Sequence, residues 1–262
     1  MSNEPKVLEA ADRIWSSIQT KSACHPVRDL LGETDLDAAY LTQQINTDRK
    51  IKAGAAVVGY KIGLTSFAVQ KQLGVDQPDF GVLTDKMLVA ENHIISWAEL
   101  MQPKVEAEIA FIISEDVHSR VESIHELKSK IECAVASIEI VGSRIENWNI
   151  RITDTIADNA SASHFVLGST KVPLAEVDLV RCKMKMSRDK QIVSEGQGVA
   201  CMDNPLNAAL WLVNTMISKG NQVRKGDIIL SGALGPMVVV NRGDQFTAEI
   251  EGLGAVSVSF EK

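Results

Sequence analysis

Three glutamates stand where buried strands carry apolar residues, and this placement constrains the chain more than any other feature. Glu106 and Glu108 lie in PKVEAEIAFII, and Glu139 lies in ASIEIVGSR. Residues two apart on a strand share a face, so Glu106 and Glu108 project side by side while Ala107, Ile109 and Phe111 take the other face. Glu139 is flanked by Ile138, Ile140 and Val141, which reads as a second buried strand. Uncompensated carboxylates there are costly, and two on one face repel. A hard divalent cation relieves both problems, and an all-oxygen donor set favours Mg2+ or Mn2+ over zinc. Taken alone, VEAEIA fits a solvated edge strand equally well. Glu139 in its apolar frame tilts the reading towards metal.

The chain has 262 residues, enough for one large domain or for a major domain with a small N-terminal one. Division into a helical region, 1–54, and a β-rich catalytic domain, 55–262, is expected. A formal net charge of −7 argues against nucleic acid or an anionic membrane as the main partner. No apolar run approaches the ~20 residues of a membrane span. The start, MSNEPKVLEAADRIW, lacks the apolar core of a signal peptide, so a cytoplasmic location is expected. Cys24, Cys133, Cys182 and Cys201 form no CxxC pair, and the histidines show no HxxxH or HExxH spacing. No structural zinc site is expected.

Val7, Leu8, Ala11, Ile14, Trp15 and Ile18 recur at helical spacing, predicting a helix over 4–20. Cys24 to Gly32 reads as a loop. Thr34 and Asp37 resemble a capping box before a second helix running to about Ala53. AAVVGYKIGL reads as a strand, SFAVQKQLGV as a short helix ending at Gly74, and QPDFGVL as a turn. Strands are expected at 86–95 and 104–114, a helix at about 121–136, and a strand through Glu139. Residues 142–164 are polar and irregular, which suggests a functional loop or lid. VRCKMKMS alternates strictly, with Arg181, Lys183 and Lys185 on a solvated face and SRDKQ as the hairpin turn. In NPLNAALWLVNTMISKG, Asn204 is the N-cap, Pro205 is N1 and Gly220 ends the helix. Its buried stripe is read as Leu206, Leu210, Val213 and Ile217. Strands separated by Gly-containing turns complete the chain, giving a mostly β body with covering helices.

Other candidate chemistry is local. Lys61 shares a strand face with Gly59 and Gly63, which leaves room for a ligand beside its ammonium; a snorkelling surface lysine is the alternative. Asp79, between Pro78 and Phe80, is either turn chemistry or an acid/base group whose pKa is raised by its apolar neighbour. DTIADNASASHF gathers Asp154, Asp158, Asn159, Ser161, Ser163 and His164. A hydrolase triad there is discounted, because no G-x-S-x-G elbow accompanies it.

Taken in order, GYKIGLTS, GVDQPDFGVL, QPKVEAEIAF, IEIVGSRIENW, DTIADNASASHFVLG, NPLNAALWL and GDIILSGALGPM resemble the fumarylacetoacetate hydrolase superfamily, in its hydratase and decarboxylase branch. The resemblance implies an α+β fold with a distorted β-roll core and a small helical N-terminal layer. It implies Glu106, Glu108 and Glu139 as ligands of Mg2+ or Mn2+. Lys61, Asp79, Asp158 and Ser161 become catalytic, and Asn159, Leu64, Ser231 and Gly232 substrate-binding. The implied activity is hydration of 2-hydroxypenta-2,4-dienoate to 4-hydroxy-2-oxopentanoate, a step in meta-cleavage aromatic catabolism. Also implied are a pentamer-based homo-oligomer and a companion decarboxylase or aldolase. Rival readings are a 4-oxalocrotonate decarboxylase or longer enedioate hydratase, an acylpyruvate hydrolase, and a non-catalytic partner subunit. A diacid substrate needs a distal cation, which Arg144 or Arg151 could supply.

Overall fold

The computed structural model describes residues 4–67, 70–71 and 75–262; the helix expected over SFAVQKQLGV lies partly outside them. The chain opens with α1 (Glu4–Thr20), α2 (Arg28–Leu31) and α3 (Leu36–Lys52), followed later by α4 (Ile124–Ser129), α5 (Ile152–Ala157) and α6 (Pro205–Ser218). Val7, Ala10 and Ile14 of α1 pack with Ala38 and Ala39 of α3 and with Ile152 and Ile156 of α5. Side-chain amides reinforce this layer. Gln43 donates to the carbonyls of Phe80 and Ile156, and Asn46 donates to that of Ala11. The expected capping box is replaced by a single cap: Asp35 accepts the Ala38 amide at 3.0 Å, being the residue directly before the first helical turn.

The strands are β1 (Val57–Gly63), β2 (Asp79–Thr84), β3 (Leu88–Val89), β4 (Ile94–Ile95), β5 (Lys104–Ile113), β6 (Ile131–Val141) and β7 (Ala162–Leu167). After them come β8 (Lys183–Arg188), β9 (Gln191–Gln197), β10 (Ile228–Ala233), β11 (Val238–Val239), β12 (Gln245–Ile250) and β13 (Gly254–Phe260). Among the described residues they form two sheets, one ordered β2-β1-β10-β5-β6-β7-β3 with β11 also on β5, the other β4-β13-β12-β8-β9. The main core lies between them, with Ile109, Phe111, Ile138 and Ile140 meeting Phe246, Val256 and Val258. No helix among the described residues is long and apolar enough to cross a membrane. The β-rich body with covering helices matches the α+β fold that the sequence implies.

Several local expectations give way. The helix expected at 121–136 stops at Ser129, and 131–141 is β6, which pairs with β5 along its length. The ladder to β5 buries Ile131, Ala134, Ala136, Ile138 and Ile140, so tertiary pairing overrides the local helical spacing. QPDFGVL is mostly strand rather than turn, because Asp79–Thr84 pairs with β1. The supposed lid at 142–164 holds α5 and the start of β7, and 152–162 is buried throughout. In α6 the buried face is Leu206, Ala209, Leu212, Val213 and Met216, rotated from the expected stripe.

Candidate functional site

β5 lies between β10 and β6, so its glutamates are in mid-sheet and the solvated-edge alternative fails. The β5–β6 register sets Glu106 directly opposite Glu139. Like charges in that relation destabilise a sheet. One carboxylate oxygen from each of Glu106, Glu108 and Glu139 lies within 4.8 Å of the others, and all three residues are buried. Burial raises the carboxyl pKa of all three, and repulsion adds to it, from Asp79 at Glu106, from Glu139 and Glu106 at Glu108, and from Glu106 at Glu139, which is pushed up to about 7 despite the opposing Lys61 ammonium.

Lys61 is the partial answer to this charge. Its Nζ lies 3.3 Å from Glu139 Oε2 and donates to the Ala160 carbonyl at 2.9 Å. Burial acts to lower the Lys61 pKa, but the carboxylates of Glu139, Asp79, Glu106 and Glu108 outweigh it and keep the ammonium charged. The snorkelling alternative fails, since Lys61 is buried. Asp79 faces Gly63 across the β1–β2 ladder, and a Cβ at Gly63 would collide with its Oδ1. Burial raises the Asp79 pKa against the pull of Lys61.

Among the described residues, no hydrogen bond reaches Glu108 Oε1 or either carboxylate oxygen of Glu139 or Asp79. Buried oxygens of this kind are ordinarily satisfied. The donor set therefore fits a hard divalent cation: oxygen ligands only, grouped closely, and electrically unbalanced. Glu108 Oε2 is fixed by the Gly232 amide at 2.8 Å. Gly232 has φ +106°, and a Cβ there would collide with the Thr65 side chain, so a larger residue would strain the backbone that presents this amide.

A cavity of about 420 Å3 opens from this cluster. Glu106, Lys61, Asp79 and Ser161 line it, and Ser161 Oγ has no hydrogen-bond partner. Leu64 also lines it. Asn159, Ala160 and Ser161 all adopt positive φ, a strained run that turns the Ala160 carbonyl to Lys61. Asn159 holds that run by bonding both the amide and the carbonyl of Val82. Its side chain, like those of Asp158 and Ser231, is not in the cavity wall. Asp158 is instead consumed by Arg144, which donates to its carboxylate from both the backbone amide and Nε. The rest of the wall includes Trp148, Ile150, Val141, Pro236 and Met237. These residues carry no catalytic signature and were not singled out from sequence. Trp148 adopts positive φ, which its sequence neighbours do not signal.

Residues 52–260 match the family described as fumarylacetoacetate (FAA) hydrolase, C-terminal. The chain is 52% identical to the TodF product hydratase of Pseudomonas putida, over 98% of this chain and 96% of that one. It is also 52% identical to 2-keto-4-pentenoate hydratase 1 of Dechloromonas aromatica, over 90% and 89% of the two chains. Among solved structures, 4-oxalocrotonate decarboxylase from Pseudomonas putida, complexed with magnesium and adipate, superposes with a TM-score of 0.93 at 30% identity, covering 99% of this chain and 98% of that one.

Proposed function

The chain belongs to the fumarylacetoacetate hydrolase family, and we propose that within it the protein is a metal-dependent hydro-lyase that adds water to 2-hydroxypenta-2,4-dienoate (2-keto-4-pentenoate), giving 4-hydroxy-2-oxopentanoate. The names of its relatives support this reading. The observation that carries it is the charge distribution of the cavity. Lys61 is the one cation among its described lining residues, and it stands at the glutamate end. The far walls are Trp148, Ile150, Val141 and Met237, which suit a terminal methylene or methyl group. A dicarboxylate such as adipate would leave its second charge unpaired there. Arg144 is held by Asp158, Arg151 is exposed, and Lys104 rests on the Trp148 ring, 4.1 Å from its centroid.

In this reading Glu106, Glu108 and Glu139 hold Mg2+ or Mn2+. When bound, the cation supplies Lewis acidity towards the carboxylate and C2 oxygen of a 2-oxo acid. Lys61 adds fixed positive charge beside the oxygen on which negative charge develops. Asp79, its pKa raised by burial, is the acid/base group in this reading, and in its acid form it has a proton to give. It delivers that proton to C5 as the C2 hydroxyl loses its own, and the dienol becomes a 2-oxo-3-enoate. Water then adds at C4 and C3 takes a proton. Ser161, with its free hydroxyl, orients the water. Asp158 and Asn159 act through the backbone they pin, Leu64 supplies apolar wall, and Ser231 with Gly232 seats Glu108. The same reading carries a cytoplasmic, pentamer-based homo-oligomer, with a decarboxylase or aldolase as companion.

The test is the ultraviolet decay of freshly generated 2-hydroxypenta-2,4-dienoate, with the product identified by mass, in Mg2+, in Mn2+ and with chelator. Fast metal-dependent decay to a product one water heavier is expected. Background decay in both metals, together with CO2 release from 4-oxalocrotonate, would replace hydratase by decarboxylase.

A further inference from the structure

A second cavity, of about 360 Å3, lies between the helical layer and the strand ends. It begins where the first stops: Ala160 and Ser161 line the first, Ala162, Ser163 and His164 the second. Trp15 and Ile18 of α1 and Met87 give it apolar walls. Its charged groups are Lys21, Lys50, Arg144 and Glu99, with Lys86 at the exposed rim.

Arg144 is neutralised by Asp158, and Lys86 by Asp85 at 3.0 Å. Lys21 stands at the mouth, with Nζ donating to the Glu99 backbone carbonyl at 2.9 Å. The Glu99 carboxylate lies 3.5 Å from His164 Nε2. Burial lowers the His164 pKa, leaving the ring neutral at pH 7. The half-buried Lys50 ammonium has neither hydrogen bond nor ion pair among the described residues. Burial, then the like charge of Arg144, push its pKa down to about 8; the pull of Asp158 opposes them, and Lys21 adds the smallest push. At neutral pH three cations thus face the two carboxylates of Asp158 and Glu99. One positive charge is left over in a chain whose formal net charge is −7. Partly buried charges are ordinarily paired, and among the described residues no group pairs this one.

We propose that this cavity binds a small monocarboxylate, its carboxylate taken by Lys50 and Lys21 and its apolar body set against Trp15, Ile18 and Met87. The single surplus charge matches a monoanion rather than a phosphate dianion. The apolar walls match an aromatic or short aliphatic body. The inference does not rest on the hydratase reading, because the cavity shares no lining residue with the glutamate site.

The test is calorimetric titration of the metal-loaded protein with benzoate, with benzamide as the uncharged isostere, and with inorganic phosphate. Benzoate should bind at one site per chain, equally well with saturating pyruvate or with chelator, while benzamide gives no heat. Lys50→Met should weaken benzoate about tenfold, the scale of one lost charge-assisted contact, and Lys50→Arg should restore it. Absence of benzoate binding would overturn the proposal, as would unchanged affinity in Lys50→Met or displacement by pyruvate. Phosphate binding in place of benzoate would overturn it too. If Lys50→Met does not fold, wild-type crystals soaked in 4-bromobenzoate decide the matter. Anomalous bromine density between Trp15 and Met87 supports the site, and density only beside Glu106 refutes it.

Discussion

The two cavities carry charge imbalances of opposite sign on either side of one short segment. The first gathers four carboxyl groups, Glu106, Glu108, Glu139 and Asp79, around the single ammonium of Lys61. The second sets Lys21, Lys50 and Arg144 against Asp158 and Glu99. The acidic imbalance is fixed by paired strands, and the basic one stands at the ends of α1 and α3. The size of the surplus indicates the ligand: several negative charges call for a multivalent cation, one positive charge for a monoanion. In both cases the fold tolerates a destabilising cluster that a ligand relieves.

The comparison breaks most visibly if the glutamates are neutralised. Glu106→Gln combined with Glu108→Gln should lower kcat on the order of a thousandfold, the scale of losing a preorganised electrostatic group. Lys50→Met should leave turnover at the wild-type level. Stability should move the other way. In chelator the double variant should unfold at a higher temperature than wild type, because it no longer buries carboxylates that repel each other. Added metal should stabilise only wild type, by about 2.7 kcal/mol at a hundred times its Kd. Thermal melts with and without metal check both statements. A variant that keeps metal-dependent turnover would remove the glutamates from the site.

A second substitution tests the wall between the cavities. Arg144→Met leaves Asp158 buried without its partner, at a cost of roughly 3–5 kcal/mol at neutral pH. Burial already raises the Asp158 pKa with the arginine present. Without it, the folded state binds a proton that the unfolded state, titrating at about 4, releases. Stability of the variant should therefore be greatest below about pH 4 and fall as pH rises through the raised folded value. Urea titrations at acid and neutral pH measure this. A loss independent of pH would mean that Arg144 matters for packing and not for charge.

What could be read from sequence divides along the same line as the cavities. The acidic cluster was legible because Glu106 and Glu108 break an apolar alternation, and Lys61 because glycines flank it. The direct opposition of Glu106 and Glu139 was not, since strand register is a long-range property of sequence segments about thirty residues apart. Ile131 to Ala136 read as helix for the same reason: only the ladder to β5 makes them a strand. The basic cavity was invisible. Its cations come from the ends of α1 and α3 and from Arg144, each an ordinary surface-like residue in its own segment. Asp158 stands out in its own segment as a candidate for chemistry, but the arginine that takes its carboxylate lies 14 residues away.

The finest test separates the two cavities by pH. Benzoate stays anionic from pH 6 to 10, so any change in its affinity over that range belongs to the protein. The groups facing the proposed carboxylate are Lys50, Lys21, Arg144, His164, Glu99 and Asp158, with Lys86 at the rim. Of these, Lys50 carries a pKa lowered to about 8. It is charged below that value and neutral above it, and a bound anion would raise it. Affinity should therefore be constant at pH 6–7, decline once pH passes about 8, and level off about tenfold weaker, at the affinity of Lys50→Met. Lys50→Arg should flatten the decline, because a guanidinium keeps its charge throughout. If the decline persists in Lys50→Arg, the titrating cation is Lys21, whose pKa is also lowered by burial, and the anion sits at the mouth of the cavity and not within it.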